Sequence, residues 1–444
     1  MAAPHIIWFR QDLRLADQAA VAAAAEAGPI IPVFVLDDVS KGLRPMGAAS
    51  RWWLHHSLVH LDASLRQHRS RLLLLKGASS QVLLDLARVS GADAIHATAH
   101  AEPWWAAIEE RLGARLKLHG ATRMLRPGQV LSGSRTPYRV FTPFWKASLD
   151  HLPPAVPKPL PTGITTADMP EGERLEDWGL LPRDPDWATG FGDWEPGEAG
   201  AEAALEAFLP HLKAYERRRN FPSEPGTSRL SPHLHFGEIS PATVWHAAEA
   251  AVGPEAAQPF TRQLVWREFA HELLEQYPDG HLRPHRPEFA RMEWTDTSKG
   301  DGRRWLKAWQ RGRTGYPIVD AGMRQLWQTG WMHNRVRMIT ASFLTKHLRI
   351  DWREGERWFW DTLVDADLAN NAMGWQWVMG SGVDSQPYYR IFAPVAQSEK
   401  FDALDYIREF APEYESHQPV NPIVDHKAAR TAALAAFERV KKGS

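Results

Sequence analysis

Residues 5–36 read HIIWFRQDLRLADQAAVAAAAEAGPIIPVFVL. An apolar run, a polar turn, an alanine-rich stretch and a second apolar run follow one another. β-branched and aromatic runs suit strands, and alanine suits a helix. The pattern recurs. Strands are predicted at His5–Arg10, Ile30–Leu36, Leu72–Lys76, Ala94–Ala97 and Arg115–Leu118, with helices near 17–27, 50–68, 79–89 and 102–112. Such alternation predicts an α/β domain built on a doubly wound parallel sheet. Its first strand–helix turn, FRQDLRLADQ, has no glycine fingerprint, so its crevice is not a Rossmann dinucleotide site.

Outward from that domain the pattern changes. From Leu131 to Glu198 periodicity fades and prolines gather (Pro153, Pro154, Pro157, Pro159, Pro161, Pro182, Pro185), which reads as a long connection draped over the surface. Beyond Ala199 the chain is helical almost to its end. The expected organisation is therefore an α/β domain over 1–130, a linker over 131–198 and a larger all-α domain over 199–444. Ser231-Pro232 and Ser240-Pro241 each set an N-cap serine before a proline at the first helical position. AARTAALAAFERVKKGS closes the chain as an amphipathic helix with a basic end.

Composition narrows the chemistry. The 444 residues include no cysteine, which excludes a disulfide scaffold, a thiolate metal site and a cysteine nucleophile, and fits a reducing, cytoplasmic setting. The first residues lack the form of a signal peptide. Glu26 and Pro29 break the alanine stretch, so no membrane span is expected. Net charge is −1, yet residues 303–353 hold eleven Lys/Arg against Asp320 and Asp351, a local +9. Such a block is either a footprint for phosphate or a solvated helix face. Eleven of the 21 tryptophans lie between Trp266 and Trp377, where they serve a core, base stacking or cofactor electronics.

Three constellations carry chemistry. Tyr215 begins YERRRNFP, followed by Gly226-Thr-Ser-Arg-Leu-Ser231, which is either a diphosphate cradle or a well-capped loop. On a predicted helix, Gln263, Trp266 and Arg267 fall at i, i+3 and i+4 and share a face, suited to base recognition or to ordinary core packing. Between Gly315 and Phe392, the cluster Asp365, Asp367, Asn370 and Asn371 precedes Trp375 and Trp377. Burying it is costly unless it bonds a polar ligand. His333 has no second ligand at metal spacing and reads as structural; no metal is expected.

IIWFRQDLRL, VFTPFWKA, GTSRLSPHLHFGEISP, WREF, GRTGYPIVDAGMRQL, WMHNRVRM, DWREGERWFW and DLANNAMGWQW together resemble, in order and over the whole length, the DNA photolyase and cryptochrome family. The resemblance implies an N-terminal antenna domain and a C-terminal helical domain holding FAD. Tyr215, Thr227, Ser228, Arg229, Leu230, Ser231, Phe260, Arg267, Asn334, Arg337, Asp365, Asp367 and Asn371 are the implied cofactor residues. Asn371 would face the flavin N5, and Phe260 stands where relatives usually place a flavin-stacking tryptophan. Trp266 and Trp377 match the indoles that embrace a flipped-out pyrimidine dimer, with Met338 beneath and Gln263 at the base edge, where many relatives carry glutamate. Arg219, Asn334, Arg335 and Gln397 complete the implied DNA contacts. Trp375 and Trp352 match the first two members of an electron relay whose usual surface terminus is here Lys299. Trp294, Trp305, Trp309, Trp358 and Trp360 are alternative exits.

The implied activity is light-driven repair of cyclobutane pyrimidine dimers in UV-damaged DNA by an electron from photoexcited reduced FAD, in a monomer. A second antenna chromophore is expected, a folate such as methenyltetrahydrofolate ahead of a deazaflavin, which stays open, with Glu102 in a segment comparable to one that contacts a folate in some relatives. Three other readings compete. A cryptochrome-type photoreceptor often adds a C-terminal extension, and this chain stops at Ser444. A (6-4) photoproduct enzyme places a histidine pair where Val336, Arg337 and Met338 stand. A flavin-free nucleic-acid binder leaves the Asp365–Asn371 cluster unexplained.

Overall fold

The computed structural model describes residues 2–415 and 421–442. Five parallel strands, β1 (His5–Phe9), β2 (Ile30–Leu36), β3 (Leu73–Lys76), β4 (Ala94–Ala99) and β5 (Leu116–Ala121), form one sheet in the order β3-β2-β1-β4-β5. The chain winds outward in both directions from β1, as predicted for a doubly wound sheet. Helices α1 (Ala19–Ala27), α2 (Ala48–Gln67), α3 (Ser79–Ser90) and α4 (Trp105–Leu112) provide the crossovers. Successive strand residues serve opposite faces. Ile6, Trp8, Ile31, Val33 and Val35 enter one core, while Ile7, Phe9, Phe34 and Leu36 enter another. Element boundaries shift from expectation by up to three residues, and two of the shifts have a visible cause. α1 starts later because Gln18 caps it, accepting from the Ala20 amide at 3.1 Å. β5 runs on to Ala121 past a register shift opposite Ala97–Ala99.

The segment predicted to drape over the surface does more than that. It contains α5 (Phe141–Ser148), and its Leu175, Trp178, Leu180, Phe191 and Trp194 are buried in the core beneath α2. Those apolar residues are scattered among glycines, prolines and acids, which hid them from any periodic reading. Helices α6 (Glu198–Phe208) and α7 (Tyr215–Arg218) follow, then α8 (Ser231–Phe236), α9 (Pro241–Val252) and α10 (Pro254–Gln276). The remainder comprises α11 (Gly300–Gln310), α12 (Pro317–Thr329), α13 (Asn334–Ser342), α14 (Trp352–Thr362), α15 (Leu368–Met379), α16 (Pro394–Lys400), α17 (Leu404–Phe410) and α18 (His426–Lys442). α18 is the predicted terminal helix; its expected last residues, Gly443 and Ser444, lie outside the described residues. No helix among the described residues is long and apolar enough to cross a membrane.

One of the two serine caps holds. Ser240 accepts from the Thr243 amide at 3.0 Å and caps α9. Ser231 caps nothing: Leu230 occupies the cap position of α8, and the Ser231 hydroxyl accepts from Trp331 Nε1 at 3.3 Å. A tertiary partner outcompeted the local one.

The sheet and the helical body are tied through buried Glu238. It accepts from Trp53 Nε1 of α2 at 3.0 Å, the Gly197 amide at 2.7 Å and Ser57, and meets His233 at 2.5 Å. Within the helical body α15 packs against α10, α13 and α14. Gly355 makes the last of these contacts possible. A Cβ there would stand 2.0 Å from Trp375 Cη2 and 2.6 Å from Leu344 Cδ2. Alanine is the better helix former by about 1 kcal/mol, so local propensity alone would make Gly355→Ala stabilising. Overpacking costs about 1–3 kcal/mol and wins here. Gly355→Ala is expected to lower the urea midpoint, and an unchanged or raised midpoint would show that α14 and α15 have room to part.

Candidate functional site

The start of α15 and the face of α13 bring the polar cluster together. Arg337 grips Asp365 with two parallel bonds, Nη1 to Oδ1 at 3.0 Å and Nη2 to Oδ2 at 2.8 Å, and its Nε donates to the Met332 carbonyl at 2.7 Å. Such a pair survives burial because each partner compensates the other's desolvation. Asp367 caps α15, accepting from the Asn370 amide at 2.8 Å and from Asn370 Nδ2 at 2.6 Å. Burial would push its carboxyl up, but the rings of His271 and His235 at 3.6 and 3.7 Å hold it well below the usual carboxylate range. Burial in turn lowers His271 to about 4.

Asn371 Nδ2 donates to Glu356 Oε1 at 2.9 Å and to the Glu356 carbonyl at 3.2 Å. Its carbonyl oxygen has no protein donor among the described residues. Glu356 is itself held by Arg44 of the sheet domain at 2.7 and 2.9 Å. Neither Glu356 nor Arg44 emerged from sequence reasoning. Asn371 and Glu356 lie on different helices, and no local spacing links them.

The loop after α7 carries Thr227 to Ser231. Gly226 passes so close to α7 that a Cβ would stand 2.4 Å from the Arg218 carbonyl oxygen. The Thr227 hydroxyl has no protein partner among the described residues. The Ser228 hydroxyl accepts from the Leu230 amide at 3.4 Å. Arg229, in the left-handed region at φ 53°, lays its guanidinium over Trp194 at 4.1 Å and Trp331 at 5.4 Å. Tyr215 is buried against Phe260, with ring centroids 5.1 Å apart, so Phe260 backs the tyrosine.

On α10 the three residues predicted to share a face have separate attachments. Gln263 donates to the Pro259 carbonyl at 3.1 Å. Arg267 donates to the carbonyls of Thr122 at 3.0 Å and Leu234 at 3.3 Å. Trp266 stacks on Phe141 of α5, centroids 3.5 Å apart and planes 10° apart. Phe141 was missed because it lies in a different segment from Trp266. Met338 on α13 and Trp377 on α15 are half-buried, on helices that pack together. Asn334 is exposed at the head of α13, whereas Arg335 bonds Asn220 and covers the Phe401 ring at 4.5 Å. Arg219 lies over Tyr215 at 5.4 Å, and Gln397 is half-buried on α16. His333 is structural, as expected: its Nδ1 accepts from the Arg335 amide at 3.2 Å and caps α13, while burial lowers its pKa to about 4.

Trp375 is buried, ringed by Phe359 at 5.0 Å and Trp309 at 6.4 Å; Trp352 is buried in the same core. Lys299 is exposed at the cap position of α11, 3.9 Å from Asp296. A crevice at the carboxyl ends of β1, β2 and β4 is lined by Arg10, Asp37, Glu102, Trp104, Trp105 and Trp360. Glu102 is buried 3.6 Å from His100; burial would raise its carboxyl, and His100 holds it below the ordinary value.

The residues fit a flavin: a neutralised Arg–Asp pair, an amide with a free carbonyl oxygen, an unpartnered loop hydroxyl and flanking indoles. A parallel sheet joined to a helical body with this centre defines a two-domain flavoprotein. Residues 260–420 match the family model for the FAD-binding domain of DNA photolyase, and residues 5–162 match that for DNA photolyase. The chain belongs to the DNA photolyase and cryptochrome family. The deoxyribodipyrimidine photo-lyase of Agrobacterium fabrum (strain C58) is 46% identical over 480 residues, covering 99% of this chain and 98% of that protein. A bacterial class III photolyase from Agrobacterium tumefaciens superposes with a TM-score of 0.93 at 45% identity, covering 100% of this chain and 98% of that one. An archaeal photolyase from Sulfolobus tokodaii, solved with two FAD molecules, gives a TM-score of 0.80 at 28% identity, covering 98% and 100%.

Proposed function

We propose that this protein is a light-driven deoxyribodipyrimidine photo-lyase that splits cyclobutane pyrimidine dimers in DNA. Bound and fully reduced, FAD supplies the light absorption and the electron that opens the cyclobutane ring and then returns. The carrying observation is the Arg44–Glu356–Asn371 chain. Glu356 takes both bonds from the Asn371 amide nitrogen, so the amide cannot turn over and must present its carbonyl oxygen. An acceptor fixed there suits an N5 that bears a proton. Arg337 and Asp365 supply a polar pair without net charge, and the Thr227–Ser231 loop is suited to the diphosphate.

The same reading gives Trp266, Trp377, Met338 and Gln263 to the flipped-out dimer. Extruding it costs a few kcal/mol, and ring contacts of about 1–3 kcal/mol each recover that. Arg219, Asn334, Arg335 and Gln397 are assigned to the DNA strand, and Trp375 with Trp352 to the relay. Residues 1–130 carry an antenna, 131–198 join the domains and 199–444 hold flavin and DNA. We assign a folate to the crevice, where the buried Glu102 carboxylate suits the amino edge of a pterin. A monomer acting in the cytoplasm completes the reading, since one chain supplies every residue of the site.

The test is illuminated incubation with dimer-containing DNA. Intact pyrimidines are expected to return under blue light and not in darkness. Repair confined to (6-4) lesions would overturn the substrate assignment, and no repair with flavin bound would favour a photoreceptor.

A further inference from the structure

The basic block at 303–353 is partly accounted for by the fold. Arg304 pairs with Asp301, Arg324 with Glu413, Arg337 with Asp365 and Arg353 with Asp351. Lys346 is buried on the Arg390 carbonyl at 3.0 Å. Lys307, Arg311 and Arg313 are different. All three are exposed, and none forms an ion pair among the described residues, although Glu413 lies near enough to Arg313 to feel its charge. With Arg324 they converge on one cleft of about 540 Å³ between α11, α12 and α14. Four cations line it and Glu413 pairs with one of them, Arg324, which leaves a positive excess.

The apolar part of the same cleft is aromatic. Trp327, 47% exposed, lies parallel to Trp358, with centroids 5.9 Å and planes 9° apart, and Trp187 supports it at 6.0 Å. An indole of 150–250 Å² left half in water forgoes much of the stabilisation its burial would bring. Here its orientation is fixed by two neighbouring rings. Cations alone suit solvent, and a tryptophan pair alone suits a core edge. Both in one concave site suit a ligand with a flat ring and a phosphate. None of the lining residues belongs to the flavin or dimer sets. On α14, Trp358 faces the cleft whereas Glu356 and Phe359 face Asn371 and Trp375.

We propose that this cleft is a second, separate nucleotide-binding site. Its base stacks on Trp327 and its phosphates lie among Lys307, Arg311 and Arg313. A free nucleotide and a nucleotide unit within a single strand share this chemistry.

The flavin-loaded protein should be titrated at low salt, followed by fluorescence anisotropy, with mant-ATP in one arm and fluorescein-labelled, dimer-free oligo(dA) in the other. Saturable, salt-sensitive binding is expected in at least one arm. Trp327→Ala and the pair Lys307→Glu with Arg311→Glu should each weaken it about tenfold or more, and Trp327→Phe should restore most of the loss. Trp377→Ala should leave it unchanged, and none of the cleft variants should shift affinity for dimer-containing duplex. Binding of mant-ATP alone assigns a free nucleotide, and binding of the oligonucleotide assigns a strand. The proposal falls if neither probe saturates, if the cleft variants bind like wild type, or if Trp377→Ala abolishes the binding. A cleft variant with an altered flavin spectrum or thermal midpoint is replaced in this comparison by Arg311→Gln, for which a tenfold loss supports the site and an unchanged affinity overturns it.

Discussion

Trp377→Ala should weaken binding of dimer-containing DNA by roughly 10- to 100-fold, since one ring contact to a base is worth about 1–3 kcal/mol. The flavin spectrum should not change, because among the described residues Trp377 forms no hydrogen bond with the Arg337–Asp365 pair or with Asn371. Trp266 is the less informative of the two indoles. Its ring lies on Phe141 at 3.5 Å, so its removal also uncovers α5 and costs stability. Trp377 is half-buried without a stacked aromatic partner among the described residues, and its loss reads out the pocket. Gel-shift or anisotropy titration in the dark separates binding from light. Equal affinity of wild type and Trp377→Ala for the dimer would remove this indole from the lesion pocket.

How much of this was written locally is clear from particular residues. The sheet was legible because each strand is a continuous apolar run, and IIPVFVL is buried at every position. Asp365, Asp367 and Asn371 were legible as a cluster because polar residues there stand out against an apolar background. Their partners were not. Glu356 reaches Asn371 from another helix, Arg44 reaches Glu356 from another domain, and Phe141 meets Trp266 across more than a hundred residues of chain. Long-range side-chain pairs leave no periodic trace. Ser231 shows the converse: a correct local signal overruled by the Trp331 indole. The cleft at Trp327 was half-legible. Its charge was visible in the sequence, but which cations remain unpaired is decided by tertiary partners.

Trp375→Phe should abolish photoreduction of oxidised flavin and leave repair intact when the flavin is chemically reduced beforehand. On the proposed assignment, repair would deliver its electron toward Trp266 and Trp377, whereas photoreduction would draw one from the protein interior through Trp375. The neighbouring rings indicate how. Trp375 meets Trp309 edge-on at 6.4 Å, with Phe359 beside both. Trp309 is wholly buried and bonded to the Thr340 carbonyl at 3.0 Å, so it cannot itself meet solvent. Trp305 stands one helical turn earlier on α11, on the same face by i, i+4 geometry and only half-buried. Lys299 caps that helix and has no ring, so Lys299→Ala should leave photoreduction at the wild-type rate. Trp309→Phe should slow it severely if the route leaves through α11, and Trp352→Phe should do so if it runs along the start of α14. Transient absorption after a blue flash, with an external reductant present and then absent, reads both variants. Wild-type photoreduction in Trp375→Phe would mean that electrons enter the flavin by a path that avoids α15 altogether.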